Sequence, residues 1–577
     1  MNTLGKLGLL AQVLRWRMNW NKFDIHYPAP MKDNPKFMTA WDAVGLIPDG
    51  AVIGISGIGG NQRPGLLYRA IRERFIKEGR PRDLTVIGIG GQGGRGLVPG
   101  TVEELALEGL NTRLIVSHTE MFKAQQRLAQ EGKLELQCSL LGSITHGFRA
   151  QAEEGRNYII RDNTGLGTFI DPRTGTGTPV AGTGTEQWVE VLEDGRFKYS
   201  LPFIDTAVFA GAAADRKGNI YFKTGSVICE AYSISKAAKR TGGRSLVNVG
   251  MMVEEGFDKE FLPAEYVDAV VYWPETEQTT TIKQRKYWDF LTPYSKTPTD
   301  DGLDRVRMIN KILKITPERF PIDEALARLA TRIFALNARK GDHVDIGFGL
   351  PEEVARLLHE SGVMNDLYMI NESGVFGGVS APGIFFGAAV NPTEIVPTSV
   401  AFDRIYERLD WVILGALQVD SQGNVNVSKR GEGALNHVGP GGFIDLITAS
   451  KSILFCCTWG EDAVVEIQGD RIKIIEPGKP KFIEKVDEIT FNGQVALKQG
   501  KRVFYATPVG AFQLTEKGME LTHVMPGIDI EKDIVNFCPM KILLPEDHAP
   551  ALVSEDVVTG KGFRFALQDD TPNGAQT

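Results

Sequence analysis

The sequence predicts an α/β protein made of two related open domains, each with a mainly parallel sheet, and a working site at their interface. Three observations carry that expectation. Apolar strands alternate with helices through both halves, as a parallel sheet with crossover helices requires. A strand–glycine–helix unit occurs twice: an apolar run over 50–60 ends in glycines before Pro64 opens a helix over 66–77 that Gly79 closes. In the second half, 340–346 leads into Gly347, Phe348 and Gly349 before a helix runs from Pro351 to Gly362. A strand ending in Gly-Ala also leads twice into a turn, through Asp215, Gly218 and Asn219 and again through Asp420, Gly423 and Asn424. Aspartate before a Gly-Asn pair is a turn signal with a mechanism, because the side chain bonds the backbone ahead of it.

Along the chain, residues 1–36 form an N-terminal extension, 37–300 a first domain, 301–320 a linker, 321–550 a second domain and 551–577 a tail. The second domain opens on a helix, since Ile322, Leu326, Leu329, Ile333 and Leu336 recur at spacings of four and three. Proline at the start of a helix, acids in its first turn and glycine beyond its end mark the boundaries. In parallel sheets the working loops lie at the carboxyl ends of the strands. The glycine loops are therefore expected on one side, near the interface.

Composition narrows the function. The net charge of -8 argues against a nucleic-acid partner, which calls for a basic footprint. The five cysteines include no C-x-x-C pair, and Cys456 and Cys457 sit in an apolar run, which predicts buried free thiols in a reducing, cytoplasmic compartment. The eight histidines show no metal-ligand spacing, so no metal is expected. No apolar run reaches the roughly 18 residues of a membrane span. Residues 1–23 carry Lys6, Arg15, Arg17 and Lys22 and no acid, around apolar residues 7–14. This reads as an amphipathic helix that docks on the protein or on a membrane surface, with a removed leader as the alternative.

Two glycine loops invite a ligand. Gly88, Gly90 and Gly93 fit the dinucleotide pattern G-x-G-x-x-G after a strand. The glycines continue to Gly96, Pro99 delays the helix to about Val102, and the next strand ends at His118 where a ribose-binding acid is needed. That context argues against a dinucleotide and for close backbone approach. Gly347 and Gly349 lead to a helix N-terminus, where exposed N–H groups favour anions; a ligand-free turn is the plain alternative.

Four segments taken together carry more weight. They are 347–351 (Gly-Phe-Gly-Leu-Pro), 371–378 (Asn-Glu-Ser-Gly-Val-Phe-Gly-Gly), 423–428 (Gly-Asn-Val-Asn-Val-Ser) and 438–446 (Val-Gly-Pro-Gly-Gly-Phe-Ile-Asp-Leu). In this order the chain resembles the family I CoA-transferases, in the acyl-CoA:acetate/3-ketoacid and propionate branch with both halves fused. The resemblance spans about Phe37 to Leu544. It implies a transferase that moves coenzyme A from an acyl-CoA to a free carboxylic acid in short-chain acyl metabolism. Glu372 would be the nucleophile that becomes a glutamyl-CoA thioester in a ping-pong cycle. Gly441 and Gly442 would supply backbone donors to the oxyanion, and Gly347, Gly349, Asn371, Gly374, Gly377 and Gly378 would bind CoA or substrate. No permanent cofactor is implied, since coenzyme A is both substrate and covalent intermediate. A homo-oligomer is the default expectation.

Two departures from the family pattern stand out. Leu141 replaces a glutamine whose amide helps hold the oxyanion, with Ser143 as a candidate substitute. A glycine triplet is missing at 406–410, read as a surface loop. Acyl-CoA hydrolysis, or acyl-CoA sensing without chemistry, are the competing functions on the same scaffold.

Overall fold

The computed structural model describes residues 3–568 apart from 97, 183, 185, 278, 280–286 and 317. In the first half, parallel strands lie in the spatial order Glu135–Cys138, Asn111–Val116, Leu84–Gly88, Val52–Ile55, Thr206–Ala214, Arg244–Met252 and Ala269–Tyr272. The second half repeats the plan with Tyr368–Asn371, His343–Ile346, Leu409–Gly415, Ser450–Cys456 and Arg502–Ala506, all parallel. An antiparallel hairpin, Gly510–Thr515 and Gly518–Val524, extends this second sheet. In each sheet the walk through the strands reverses at the first strand of that half, Val52–Ile55 or His343–Ile346. Such reversals open a crevice at the carboxyl ends of the strands.

These strands are buried on both faces, so they read as continuous apolar runs without alternation. Thr206–Ala214 is buried at every position. The duplication extends to single hydrogen bonds. Asp215 accepts from the Lys217 amide, the Asn219 amide and the Asn219 side chain at 2.9, 3.1 and 2.8 Å. Asp420 accepts from Gln422 and Asn424 in the same way at 3.0, 3.0 and 3.1 Å. Each asparagine Oδ1 then takes a distant amide, Ala264 in one half and Gly493 in the other.

The halves share a core. One apolar cluster joins Leu140, Leu141, Ile144 and Phe148 to Phe402, Ile405, Phe443 and Ile444. Polar contacts cross the same boundary: Arg149 and His146 meet Asp403, and the amides of Thr119 and Glu120 donate to the Val438 carbonyl.

Several expectations are adjusted. Residues 301–320, read as a linker, contain most of a helix, Thr299–Leu313, that buries Leu303, Val306 and Ile309. The helix Pro321–Asn337 buries Leu326, Leu329, Ala330, Ile333 and Phe334, but Leu336 is 55% exposed. Its inner face follows the 3.6-residue period toward Phe334, which the strict four–three count missed. The tail is held as far as it is described: Val557 and Val558 are buried, and their carbonyls accept from Arg328. Residues 569–577 lie outside the described residues. The extension forms a helix, Thr3–Met18, that buries Leu9, Val13 and Trp16. All five cysteines are free and buried. Among the described residues no helix is long and apolar enough to cross a membrane, and no cluster of side chains is suited to a metal ion.

Candidate active site

Strand Tyr368–Asn371 runs beside the reversal point of the second sheet, and Glu372 is the first residue beyond its carboxyl end. The turn that follows is built by its own sequence. Asn371 Oδ1 accepts the Ser373 amide at 3.0 Å, and the Asn371 carbonyl accepts the Gly374 amide at 3.0 Å. Gly374 has φ +97°, and an added Cβ would lie 2.1 Å from the Val396 carbonyl oxygen, so only glycine fits. Asn371 and Gly374 therefore shape the turn that holds Glu372. Gly377 and Gly378 have the same character: a Cβ at Gly378 would stand 2.4 Å from the Val390 carbonyl oxygen, and one at Gly377 would press on Thr393. At these three glycines the protein's own packing leaves no room for a side chain.

Glu372 as a residue is half-buried, but its Oε2 is shut off from solvent without a well-aligned hydrogen bond. Its carboxyl pKa is pushed up to about 8, first by burial, then by the neighbouring carboxyls of Asp345 and Asp445; the Gly442 amide pulls it partly back. Gly442 lies so close that a Cβ there would come within 1.8 Å of Glu372 Oε2. The absence of a side chain lets the Gly442 backbone N–H, a hydrogen-bond donor, face the Glu372 carboxyl at close range.

Gly441 differs from expectation. Its N–H donates to the Ser117 carbonyl at 2.8 Å, and its own carbonyl accepts from Leu141 at 3.3 Å. The residue ties the two halves together, and its amide is not available to an oxyanion. Ser143, the candidate substitute for the missing glutamine, is buried with its hydroxyl unpartnered. Leu141 begins the helix Leu141–Glu153 and is buried.

The loop through Gly347 and Gly349 meets the helix Pro351–Glu360 as expected. Gly349 has φ +92° and open space around it, whereas Gly347 packs on Leu414. The first turn of the helix is already occupied by Glu352 and Glu353, both paired with Arg319. These acids answer the positive end of the helix. The other glycine loop, 88–96, is closed by its own chain. Glu103 accepts the amides of Gly94 and Gly96 at 3.0 and 2.9 Å, and a Cβ at Gly91 would strike Gly59.

Four buried groups around the site were not singled out in the sequence. Asp345 sits inside strand His343–Ile346 and takes the Glu372 amide; burial raises its pKa to about 7. An acid inside a run destined for the middle of a parallel sheet was the available signal. Asp445 accepts the Gly142 amide at 3.0 Å and the Tyr406 hydroxyl at 2.7 Å, and burial raises its pKa to about 6. Tyr406 was assigned to a surface loop; it lies in the last turn of helix Thr398–Glu407, with the Arg161 guanidinium 4.7 Å from its ring centre. Glu230 precedes the helix Ala231–Arg240, and its carboxyl is fully enclosed with a pKa raised to about 7 by burial. Nothing in its local sequence marks it.

No family model matches the chain. Individual proteins do. The caffeate CoA-transferase of Acetobacterium woodii is 30% identical over 515 residues, 87% of this chain and 93% of that one. The acetate CoA-transferase YdiF of Escherichia coli K12 is 29% identical over 86% of this chain and 91% of its own. The crystal structure of the acyl-CoA transferase YdiF apoenzyme from E. coli O157:H7 superposes with a TM-score of 0.79 at 27% identity, covering 94% of this chain and all of that one. A second crystal structure of that protein, described as a thioester complex with CoA, gives 0.78. A two-half α/β scaffold is thus shared with enzymes that transfer CoA. The chain belongs to the family I CoA-transferases. It is a CoA-transferase, with coenzyme A as a substrate.

Proposed function

We propose that the protein transfers coenzyme A between carboxylic acids in a ping-pong cycle, with the side chain of Glu372 as the temporary carrier. The observation that carries this reading is the Glu372 carboxyl enclosed against the Gly442 amide and crowded by Asp345 and Asp445. A carboxylate in water is a weak nucleophile. One whose conjugate acid titrates near 8 is a stronger base, and its attack relieves a charge that burial disfavours.

The Glu372 carboxylate attacks the thioester carbonyl of acyl-CoA, the C–S bond breaks, and CoA leaves as thiolate with a mixed anhydride behind. The thiolate then attacks the glutamyl carbonyl of the anhydride, releasing the first acid as its carboxylate and forming glutamyl-CoA. A second carboxylate attacks the glutamyl thioester, and the same two steps in reverse deliver the new acyl-CoA and restore Glu372. Every tetrahedral species places negative charge on an oxygen. The Gly442 N–H stabilises those formed at the glutamyl carbon, and the Ser143 hydroxyl is an additional donor of suitable chemistry. One such donor contributes roughly 3–4 kcal/mol. The thioester complex with CoA obtained for the E. coli O157:H7 relative supports the covalent step.

The test is mass analysis after incubation with acyl-CoA and no acceptor acid. A CoA adduct on the peptide that contains Glu372, absent from Glu372→Ala, is the expected result; exchange at full rate in folded Glu372→Ala would overturn the reading. Turnover measured with and without an acceptor separates transfer from hydrolysis, and binding without exchange would indicate a sensor.

A further inference from the structure

The helix Thr3–Met18 has two apolar faces, and only one of them is used inside the protein. Leu9, Val13 and Trp16 dock into the core, where their cluster includes Trp288 and Phe290. Arg15 fixes the helix from one side through both oxygens of Glu275, at 2.7 and 3.0 Å. The opposite face carries Leu4, Leu7, Leu10, Leu14 and Met18, exposed by 80, 59, 36, 54 and 72%. At 100° per residue these five fall within an arc of about 120°. Lys6 and Arg17, both exposed, border the arc on one side, and Arg15 borders it on the other. No acidic residue occurs before Asp24.

We infer that this face is a docking surface for an anionic lipid membrane, on which the helix lies flat. Side chains docked in the core hold the helix in place, so its free leucines point away from the protein without further ordering. Leucine side chains enter the acyl boundary while flanking lysine and arginine reach the headgroups. The charge pattern selects this occupant over a second copy of the chain. A symmetric pairing of two such faces would bring Lys6 and Arg17 of one helix against the same cations of the other, with no acid on the helix to answer them. An anionic surface answers both at once. The helix also lies outside residues 37–544, which carry the motifs of the transferase, so the surface is additional to the catalytic scaffold.

The experiment is flotation of the full chain with vesicles of phosphatidylcholine alone and of phosphatidylcholine with phosphatidylserine, alongside measurement of CoA exchange and of mass in solution. Expected is binding to the phosphatidylserine vesicles that weakens with salt. Leu7→Ser/Leu10→Ser/Leu14→Ser and Lys6→Glu/Arg17→Glu should each reduce it about tenfold or more with exchange unchanged. Absence of binding by the wild-type chain, or equal binding by either variant, overturns the inference. So does a leucine variant that changes the oligomeric mass while the wild-type chain ignores vesicles, since the face would then be a contact between copies.

Discussion

A β-carbon placed on Gly442 would lie 1.8 Å from Oε2 of Glu372, closer than any two unbonded atoms can stand. Gly442→Ala must therefore push the carboxyl aside or move the backbone amide that faces it. A displacement near 1 Å at a reacting group costs about 10²-fold. We expect kcat to fall by about that factor or more in Gly442→Ala, with the melting temperature changed little, as steady-state exchange and thermal unfolding will show.

Asp345 and Asp445 raise the pKa of Glu372 because like charges disfavour one another. In the cycle we propose, Glu372 must be ionised to attack, so glutamyl-CoA formation should increase with pH along a limb centred near the group's value of about 8. Asp345→Asn removes the first of those neighbours. The limb should move to lower pH in rapid-mixing measurements of the first half-reaction; an unchanged midpoint would count against the coupling.

Burial of Glu372 also affects stability. Its folded-state pKa, about 8, lies above the ordinary value of 4.5, so the folded protein binds a proton that the unfolded chain gives up. Stability from this group is complete below pH 4.5 and is lost as pH rises through 8. Glu372→Gln keeps the shape and removes the titration. It should unfold at higher temperature than the wild type, with a difference that grows from pH 5 to pH 8 toward a few kcal/mol at most, roughly.

Tyr406 donates its hydroxyl to Asp445 at 2.7 Å, and the other oxygen of Asp445 takes the Gly142 amide of the first half. Tyr406→Phe leaves the ring in place and frees one carboxyl oxygen. The expected loss of stability is about 1–3 kcal/mol. Because Asp445 borders both Glu372 and the first half, kcat should fall more than KM rises.

Much of this was legible in the chain. The turns at Asp215 and Asp420 announce the duplication because a buried aspartate, a glycine at positive φ and an asparagine are local requirements of one turn. The Glu372 turn is equally local, since Asn371 and Gly374 act within three residues. The bond from the Gly441 amide is not legible in this way, because its partner, the Ser117 carbonyl, comes from the other half of the chain. Asp345 was passed over inside an apolar strand, and Tyr406 because its partner Asp445 lies 39 residues on. The packing of Val557 and Val558 on the helix Pro321–Asn337 likewise depends on residues more than 200 positions apart. Periodicity and motif spacing carry no information about such pairings.

The repeated architecture is chemically lopsided. Strand Leu84–Gly88 holds the place in the first sheet that Tyr368–Asn371 holds in the second, yet it runs into Gly90 and Gly91, which lie against His118 and Gly59. If Glu372 is the carrier we propose, the two modules share one carboxyl between them, and labelling by acyl-CoA should saturate at one equivalent per polypeptide, whatever number of copies assemble.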